Sequence, residues 1–360
     1  MNTLGSAVRL TLFGASHDSC IGCVLDGLPA GFFVNEATIE NDLALRRPAP
    51  GIGTARVEDD IPAISGLVNG TTTGAPLVIT IANENVRDAD YEAMRRVPRP
   101  GHADYPAYCK YGAAHDIRGG GQFSGRMTAA LVAAGAVLRD FIGMAGISVG
   151  SYVTRIGRVI DTGVYQPEDI MRVSRTNPLR AMSLELEMHM RAEILAAKAD
   201  GDSVGGQVRC VATGIPAGLG EPFFDSLDGE IAKAVFAVPG VKGVSFGAGF
   251  AAAGLRGSAN NDFYRISDDG FVCTSSNHAG GVLGGMADGA ALDFQVAFKP
   301  TPSIAKRQES VDLTTLADAE LLVGGRHDPC IAPRGAIVVE SMTILTIADL
   351  LVRGGYVCRS

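Results

Sequence analysis

The chain of 360 residues contains no tryptophan, only 6% aromatic residues and 19% charged ones. No block of like charge interrupts it, and its net charge is −8, a balance unsuited to a nucleic-acid partner. No apolar run approaches the ~18 residues of a membrane span. Met1 to Ala7 is too short and uncharged for a signal peptide. A cytoplasmic protein with no membrane partner is therefore expected. The seven cysteines are odd in number and mostly have apolar neighbours, so they read as reduced, buried thiols. Cys20 and Cys23 make a lone CxxC in a strand-like context, and no metal site is expected from it. The one glycine triplet lacks the Gly-Lys-Ser/Thr ending of a nucleotide P-loop, which removes that class of enzyme.

Glycine itself is abundant: 46 residues, nearly twice the usual ~7%. With 46% of the residues hydrophobic, the chain can bury a large core. Its most unusual stretch runs from Arg99 to Arg126, where His102, Asp104, His115, Asp116, Arg118 and Arg126 crowd together. There Gly119, Gly120 and Gly121 lead into an alanine-rich helical run from about Gly125 to Ile142, with Ser124 placed to cap it. Glycines admit close backbone approach, a helix start favours negative charge, and Arg126 offers a fork of donors, which together suit an anion. A polar turn with a helix cap would explain the glycines alone; the accompanying histidines and arginines argue for function.

Around this centre, strands are expected at Val8–Phe13 and Ile21–Leu25, with His17 in the turn between them, either facing a cleft or merely filling a hairpin. Asn35 should cap a helix that Pro48 stops after Arg46 and Arg47, an arginine pair explained by the helix dipole or by an anionic partner. Residues 57–83 read as strand, Thr71-to-Gly74 turn and strand. Further strands are expected near Ser148–Ile156, Gln207–Ala212 and Val241–Phe246, and helices near Met182–Ala199, Leu227–Val238 and Ala336–Val352. Both halves mix strands and helices without a linker, which suggests a duplicated α+β architecture. Four polar loops in the second half, at Ser258–Asp262, Asn277–Gly281, Lys299–Ser303 and Gly325–Cys330, would form one cluster with His17, His102 and the arginine pair if folding brought them together.

With these motifs the sequence resembles the chorismate synthase family. The likeness runs along essentially the whole chain, through DGLPAG, RPGHADY, RGGG, GIPAGLGEP, NHAGG, KPTPS and GRHDPC. It implies one α+β domain over residues 1–360, a β-α-β sandwich with internal pseudo-duplication, assembled as a homotetramer. It implies a lyase of the shikimate pathway that converts 5-enolpyruvylshikimate 3-phosphate to chorismate by a 1,4-elimination requiring reduced FMN. By the same resemblance, His102 serves the leaving phosphate, His17 lies beside the flavin and Asp328 relays the ring proton. Arg46, Arg47, Arg126 and Arg326 would bind substrate. Ser124, Pro239, Gly240, Gly284, Lys299, Pro300, Thr301, Pro302, Ser303 and Arg326 would bind flavin. The chain departs from the family pattern at Ala15, Asp18, Gln122 and Gly125, and it lacks an arginine expected near Ile52, for which Arg56 could substitute. Flavin could be reduced by NADPH bound to the chain or by an external reductase, and the absent arginine weighs against the first. A non-catalytic flavin-binding protein on the same scaffold is the rival reading, and the retained His17, His102 and Asp328 count against it.

A single domain with a site built from both halves should resist division. Limited proteolysis is expected to leave no pair of separately folded halves cut near Asp200, and two such halves would contradict the one-domain organisation.

Overall fold

Leu77, Ile79 and Ile81 are fully buried and alternate with more exposed neighbours, the period of a strand with one face on a core. The computed structural model describes residues 2–53, 62–84, 91–324 and 327–357, and among them such strands build two five-stranded antiparallel sheets. In the first, β1 (Thr3–Leu4), β2 (Arg9–Gly14), β3 (Cys20–Asp26), β4 (Pro62–Ser65) and β5 (Leu77–Ala82) lie in the order β1-β2-β3-β5-β4. In the second, β6 (Ser148–Ile156), β7 (Val159–Ile160), β8 (Gly206–Thr213), β9 (Val241–Phe246) and β10 (Leu292–Phe298) lie in the order β9-β10-β8-β6-β7.

Six helices bear on the site: α1 (Glu36–Arg46), α2 (Asp104–Tyr111), α3 (Thr128–Gly143), α4 (Leu184–Ala199), α5 (Leu227–Phe236) and α6 (Ala332–Arg353). Helix α3 packs on β3 and β5, α6 packs on β6 and β8, and the two helices pack on each other. The result is a β-α-β sandwich in which each half of the chain supplies one long apolar helix and most of one sheet. The helices approach most closely at Gly135, where a Cβ would lie 2.4 Å from Ser341 Cβ. Any side chain at Gly135 would force them apart. By length and composition α6 could cross a membrane, but 94% of its most apolar stretch is buried inside the protein. It is a core helix.

Several elements differ from the sequence expectation. Helix α6 begins at Ala332 rather than Ala336, because Pro333 occupies its first turn, where a missing N–H costs nothing. Thr71–Thr72 is not a turn but a short strand paired with Leu67–Val68. The turn is Asn69-Gly70, both at positive φ (51° and 75°), as a tight two-residue hairpin requires.

A buried charge network ties the layers together. Glu340 of α6, wholly buried, accepts from Arg139 Nη2 of α3 at 2.6 Å, Arg175 Nη2 at 2.5 Å, Arg180 Nη2 at 2.7 Å and Ser151 Oγ of β6 at 2.9 Å. Asp42 of α1 accepts from Arg139 Nη2 and from Arg175 Nη1, each at 2.8 Å. Burial pushes the Glu340 pKa up, but Arg139, Arg180 and Arg175 outweigh it and hold the carboxyl well below its ordinary 4.5. Arg180 reaches the network from a left-handed backbone (φ 56°), a strain of about 1–3 kcal/mol. Asn177 fixes that turn: its side-chain amide donates to Ala181 O at 2.7 Å, and its oxygen accepts from Ala181 N at 3.0 Å.

Glu340→Gln leaves the buried Arg180 and the partly buried Arg139 and Arg175 facing one carboxylate, so it should cost roughly 3–5 kcal/mol in urea unfolding at neutral pH. Because the folded pKa is depressed, this stabilisation is complete above the unfolded value and is lost as pH falls from 4.5 towards the folded pKa. The gap between wild type and variant should therefore narrow on acidification. A gap independent of pH would remove the network from this role.

Candidate active site

Pro48 forbids continuation of α1, and Arg46 and Arg47 are left at its end. Arg46 is only 3% exposed: its Nε donates to Thr128 Oγ1 at 2.9 Å and its Nη2 to Gly125 O at 2.8 Å. It thereby clamps the start of α3. That start is a short 3₁₀ turn, Gly125–Met127, whose cap Ser124 accepts from Arg126 N at 3.3 Å. Arg126 Nε donates to Asn83 Oδ1 at 3.1 Å and its Nη2 to Ala82 O at 3.0 Å, linking α3 to the end of β5.

These arginines open onto a cavity of about 830 Å³, within the range of small-molecule sites. One wall comes from Arg46, Arg47 and Pro48 at the end of α1, from Ser124, Arg126 and Thr128 at the start of α3, and from Gly119 and His102. The opposite wall comes from Pro239 and Gly240 between α5 and β9, from Lys242 in β9, and from Lys299, Pro300, Thr301, Pro302 and Ser303 after β10. Asp328 and Arg334 close one end, and Ser16 and Tyr91 also contribute. Among the described residues the lining thus holds six cationic side chains, Arg46, Arg47, Arg126, Lys242, Lys299 and Arg334, against one carboxylate, Asp328. In a chain of net charge −8, this is a strong local concentration of positive charge, suited to an anionic ligand.

The glycine triplet serves close approach more than anion binding. Gly119, Gly120 and Gly121 all have positive φ (58°, 83° and 54°), and only Gly119 reaches the cavity. A Cβ on Gly119 would lie 2.5 Å from His17 Cδ2, and one on Gly121 would lie 2.2 Å from Asp116 O. His17, 7% exposed, packs edge-on against Tyr91 and sits against Gly119 beside the cavity rather than in its lining. Of the other polar residues in the central stretch, Asp116 pairs with Arg118 at 2.9 Å, and His115 is buried against Phe123, so neither forms part of the lining.

His102 is held from behind: Asp104 Oδ1 lies 2.6 Å from its Nδ1, and Arg99 Nε donates to Asp104 Oδ2 at 2.7 Å. Burial raises the Asp104 pKa, but the bonds from Arg99 and His102 and their charges drive it far below the usual carboxylate range. Asp328 Oδ2 accepts from Arg334 Nη1, while Asp328 Oδ1 is buried without a hydrogen-bond partner among the described residues. Arg334 Nε also donates to Arg46 O at 3.0 Å, so one guanidinium spans Asp328 and the end of α1. On the far wall, Lys299 Nζ donates to Gly101 O. Burial, and next Lys242, pushes the Lys299 pKa down. The Thr301 hydroxyl there is buried without a hydrogen-bond partner among the described residues.

Other expected residues lie elsewhere. Gly284 does not line the cavity; it and Gly285, both at positive φ, turn the hairpin between Val282–Leu283 and Met286–Ala287. Of the four second-half loops only two supply cavity residues. Asp262 instead accepts from Ser276 Oγ, His278 N and Ala279 N, binding the other two loops to each other. His327 turns to Gly324 O at 2.9 Å. Arg326 and Arg56 lie outside the described residues. The sequence reading missed Tyr91, Lys242 and Arg334. For Arg334 a signal existed: a cation in the first turn of a helix opposes the helix dipole and calls for an anionic neighbour.

The chorismate synthase family model matches residues 8–352. A chorismate synthase of Dehalococcoides mccartyi is 46% identical over 360 residues, covering 99% of this chain and 98% of that one. One of Korarchaeum cryptofilum is 46% identical over 351 residues, covering 97% of each. A crystal structure of a chorismate synthase superposes with a TM-score of 0.76 at 27% identity, covering 97% of this chain and 93% of that one.

The clamp by Arg46 has a direct test. Arg46→Ala should speed amide exchange at Gly125–Thr128 and cost roughly 1.5–3 kcal/mol for each charged hydrogen bond lost. Lys should restore only part, because it lacks a fork. Unchanged exchange at these amides would separate Arg46 from the helix start.

Proposed function

This chain belongs to the chorismate synthase family, and from that premise we propose that its cation-lined cavity eliminates phosphate and a ring proton from 5-enolpyruvylshikimate 3-phosphate to give chorismate. The protein is then a carbon–oxygen lyase of the shikimate pathway. The observation that carries the reading is the excess of cations over carboxylate in one cavity. A substrate bearing a phosphate and two carboxylates needs that excess, both to bind and to offset charge on the departing phosphate.

The wall of Lys299 to Ser303 fits a phosphate-bearing cofactor. It offers two lysines, a buried hydroxyl without a hydrogen-bond partner among the described residues and, at Gly240, a backbone where a Cβ would collide with Ile331. We assign the FMN site to Lys299, Pro300, Thr301, Pro302 and Ser303 with Pro239, Gly240, Lys242 and Ser124. The chemistry that reduced FMN supplies when bound is reversible donation of electron density, which makes the elimination redox-neutral. Arg46, Arg47 and Arg126 hold the substrate anions, and Arg326 is assigned to both ligands by resemblance alone. His102 gives a proton to the leaving phosphate, and Asp328, kept beside Arg334, relays the ring proton. His17 balances charge next to the cofactor.

Reducing equivalents are assigned to an external flavin reductase rather than to NADPH held by the chain. The arginine that the family resemblance implies near Ile52 is missing, and Ile52 itself is packed into the core. The free thiols at all six described cysteines support a cytoplasmic location. The exposed Phe250, Phe263, Tyr264 and Phe271 support a homotetramer. A non-catalytic flavin-binding role is not favoured by relatives that carry the enzyme's name along their whole length.

Chorismate release with FMN kept chemically reduced tests the function, and binding without release would support the non-catalytic rival. Asp328→Asn keeps the shape but loses the acceptor charge, so turnover should fall by roughly 10²–10⁴-fold with little change in FMN or substrate affinity. A normal single-turnover rate at saturation would retire Asp328 from proton transfer.

A further inference from the structure

Helix α2 starts inside the cavity wall, and its first residue is buried: Asp104 is 2% exposed. Four donors converge on that carboxylate. Arg99 supplies its backbone N at 3.1 Å and Nε at 2.7 Å to Oδ2, and Nη2 at 2.8 Å to Oδ1; His102 Nδ1 lies 2.6 Å from Oδ1. Every lone pair facing a neighbour therefore faces a donor. A carboxylate saturated in this way and clamped by a bidentate guanidinium is an obligate acceptor, so the proton on His102 must sit on Nδ1. The remaining nitrogen, Nε2, lies by Gly120, where a Cβ would be 3.5 Å from it. His102 itself lines the cavity.

We propose that Asp104, oriented by Arg99, is a positioning residue for the elimination: it holds the Nδ1 proton of His102, so that the second proton of the imidazolium sits on Nε2, passes from there to the leaving phosphate and leaves the neutral Nδ1–H ring behind. The proposal rests on the reading of His102 as that proton donor. It adds two residues, neither of which lines the cavity, whose action passes entirely through the imidazole. Arg99 Nη2 also lies 3.1 Å from Nδ1. Lys299, which donates to Gly101 O, His115, whose charge interacts with His102 and Asp104, and His327, which faces Arg99, are the other charged or titratable neighbours. They stay constant in the variants below.

In Asp104→Asn, Arg99 claims the single amide oxygen and the NH₂ group turns to His102. The ring must then accept at Nδ1 and carry its one proton on Nε2, which a neutral ring could release only as imidazolate, so the acid is lost. Nitrogen NMR of histidine-labelled protein, recorded without flavin or substrate, should show Nδ1–H in the wild type and Nε2–H in Asp104→Asn. In turnover with reduced FMN the variant should lose kcat by roughly 10²–10⁴-fold with KM unchanged, and Asp104→Asn should add nothing in a His102→Ala background. A folded Asp104→Asn protein whose tautomer and kcat match the wild type overturns the proposal. A wild type that makes no chorismate overturns the functional reading and this role with it, and the tautomer spectra tell that failure from the first.

Discussion

A single buried carboxylate, Glu340, holds the middle layer of the sandwich in register. It draws Arg139 from α3 and Arg175 and Arg180 from the loop before α4, while Asp42 of α1 shares Arg139 and Arg175. Removing any one partner strands charge in the core, which is why such a cluster constrains geometry more than it adds stability. The same three helices end at the cavity. Arg46 lies one turn beyond Asp42, Arg334 under two turns before Glu340, and the start of α3 about three turns before Arg139. A slip in the network would displace all three cationic helix ends together.

The cavity's charge comes from side chains that also have structural duties. Arg46 spends donors on Thr128 and Gly125, Arg126 on Asn83 and Ala82, and Arg334 on Asp328 and Arg46 O. Guanidiniums fixed in this way form a preorganised positive field that a ligand need not assemble, the arrangement that favours charge developing on a leaving phosphate. The lysine wall is built differently. Burial, and next the charge of Lys242, weighs against the charge on Lys299, a penalty that an anion bound there would relieve.

Much of this was legible in the sequence where the cause was local. Alternation at Leu77, Ile79 and Ile81, the cap at Asn35 and the stop before Pro48 each depend on a few neighbouring residues. The resemblance pointed to the Lys299–Ser303 segment and to Asp328, which line the same cavity. What stayed hidden was convergence. The polar loops at Asn260 and His278 look no different in sequence from those at Lys299 and Asp328, yet they bind each other. Lys242 sits in an otherwise ordinary strand, and Tyr91 follows a stretch without clear period, so only the fold shows that they face the cavity. The Gly119–Gly121 triplet was read as an anion cradle because the residue it makes room for, His17, is a hundred positions away.

The central claim is a redox-neutral elimination within one cation-lined cavity. Its most direct test records chorismate, inorganic phosphate and flavin absorbance together during anaerobic turnover of 5-enolpyruvylshikimate 3-phosphate with pre-reduced FMN. Equal amounts of chorismate and phosphate, with the flavin still reduced when substrate is exhausted, are expected. Flavin oxidised in proportion to product, or phosphate released without chorismate, would contradict it.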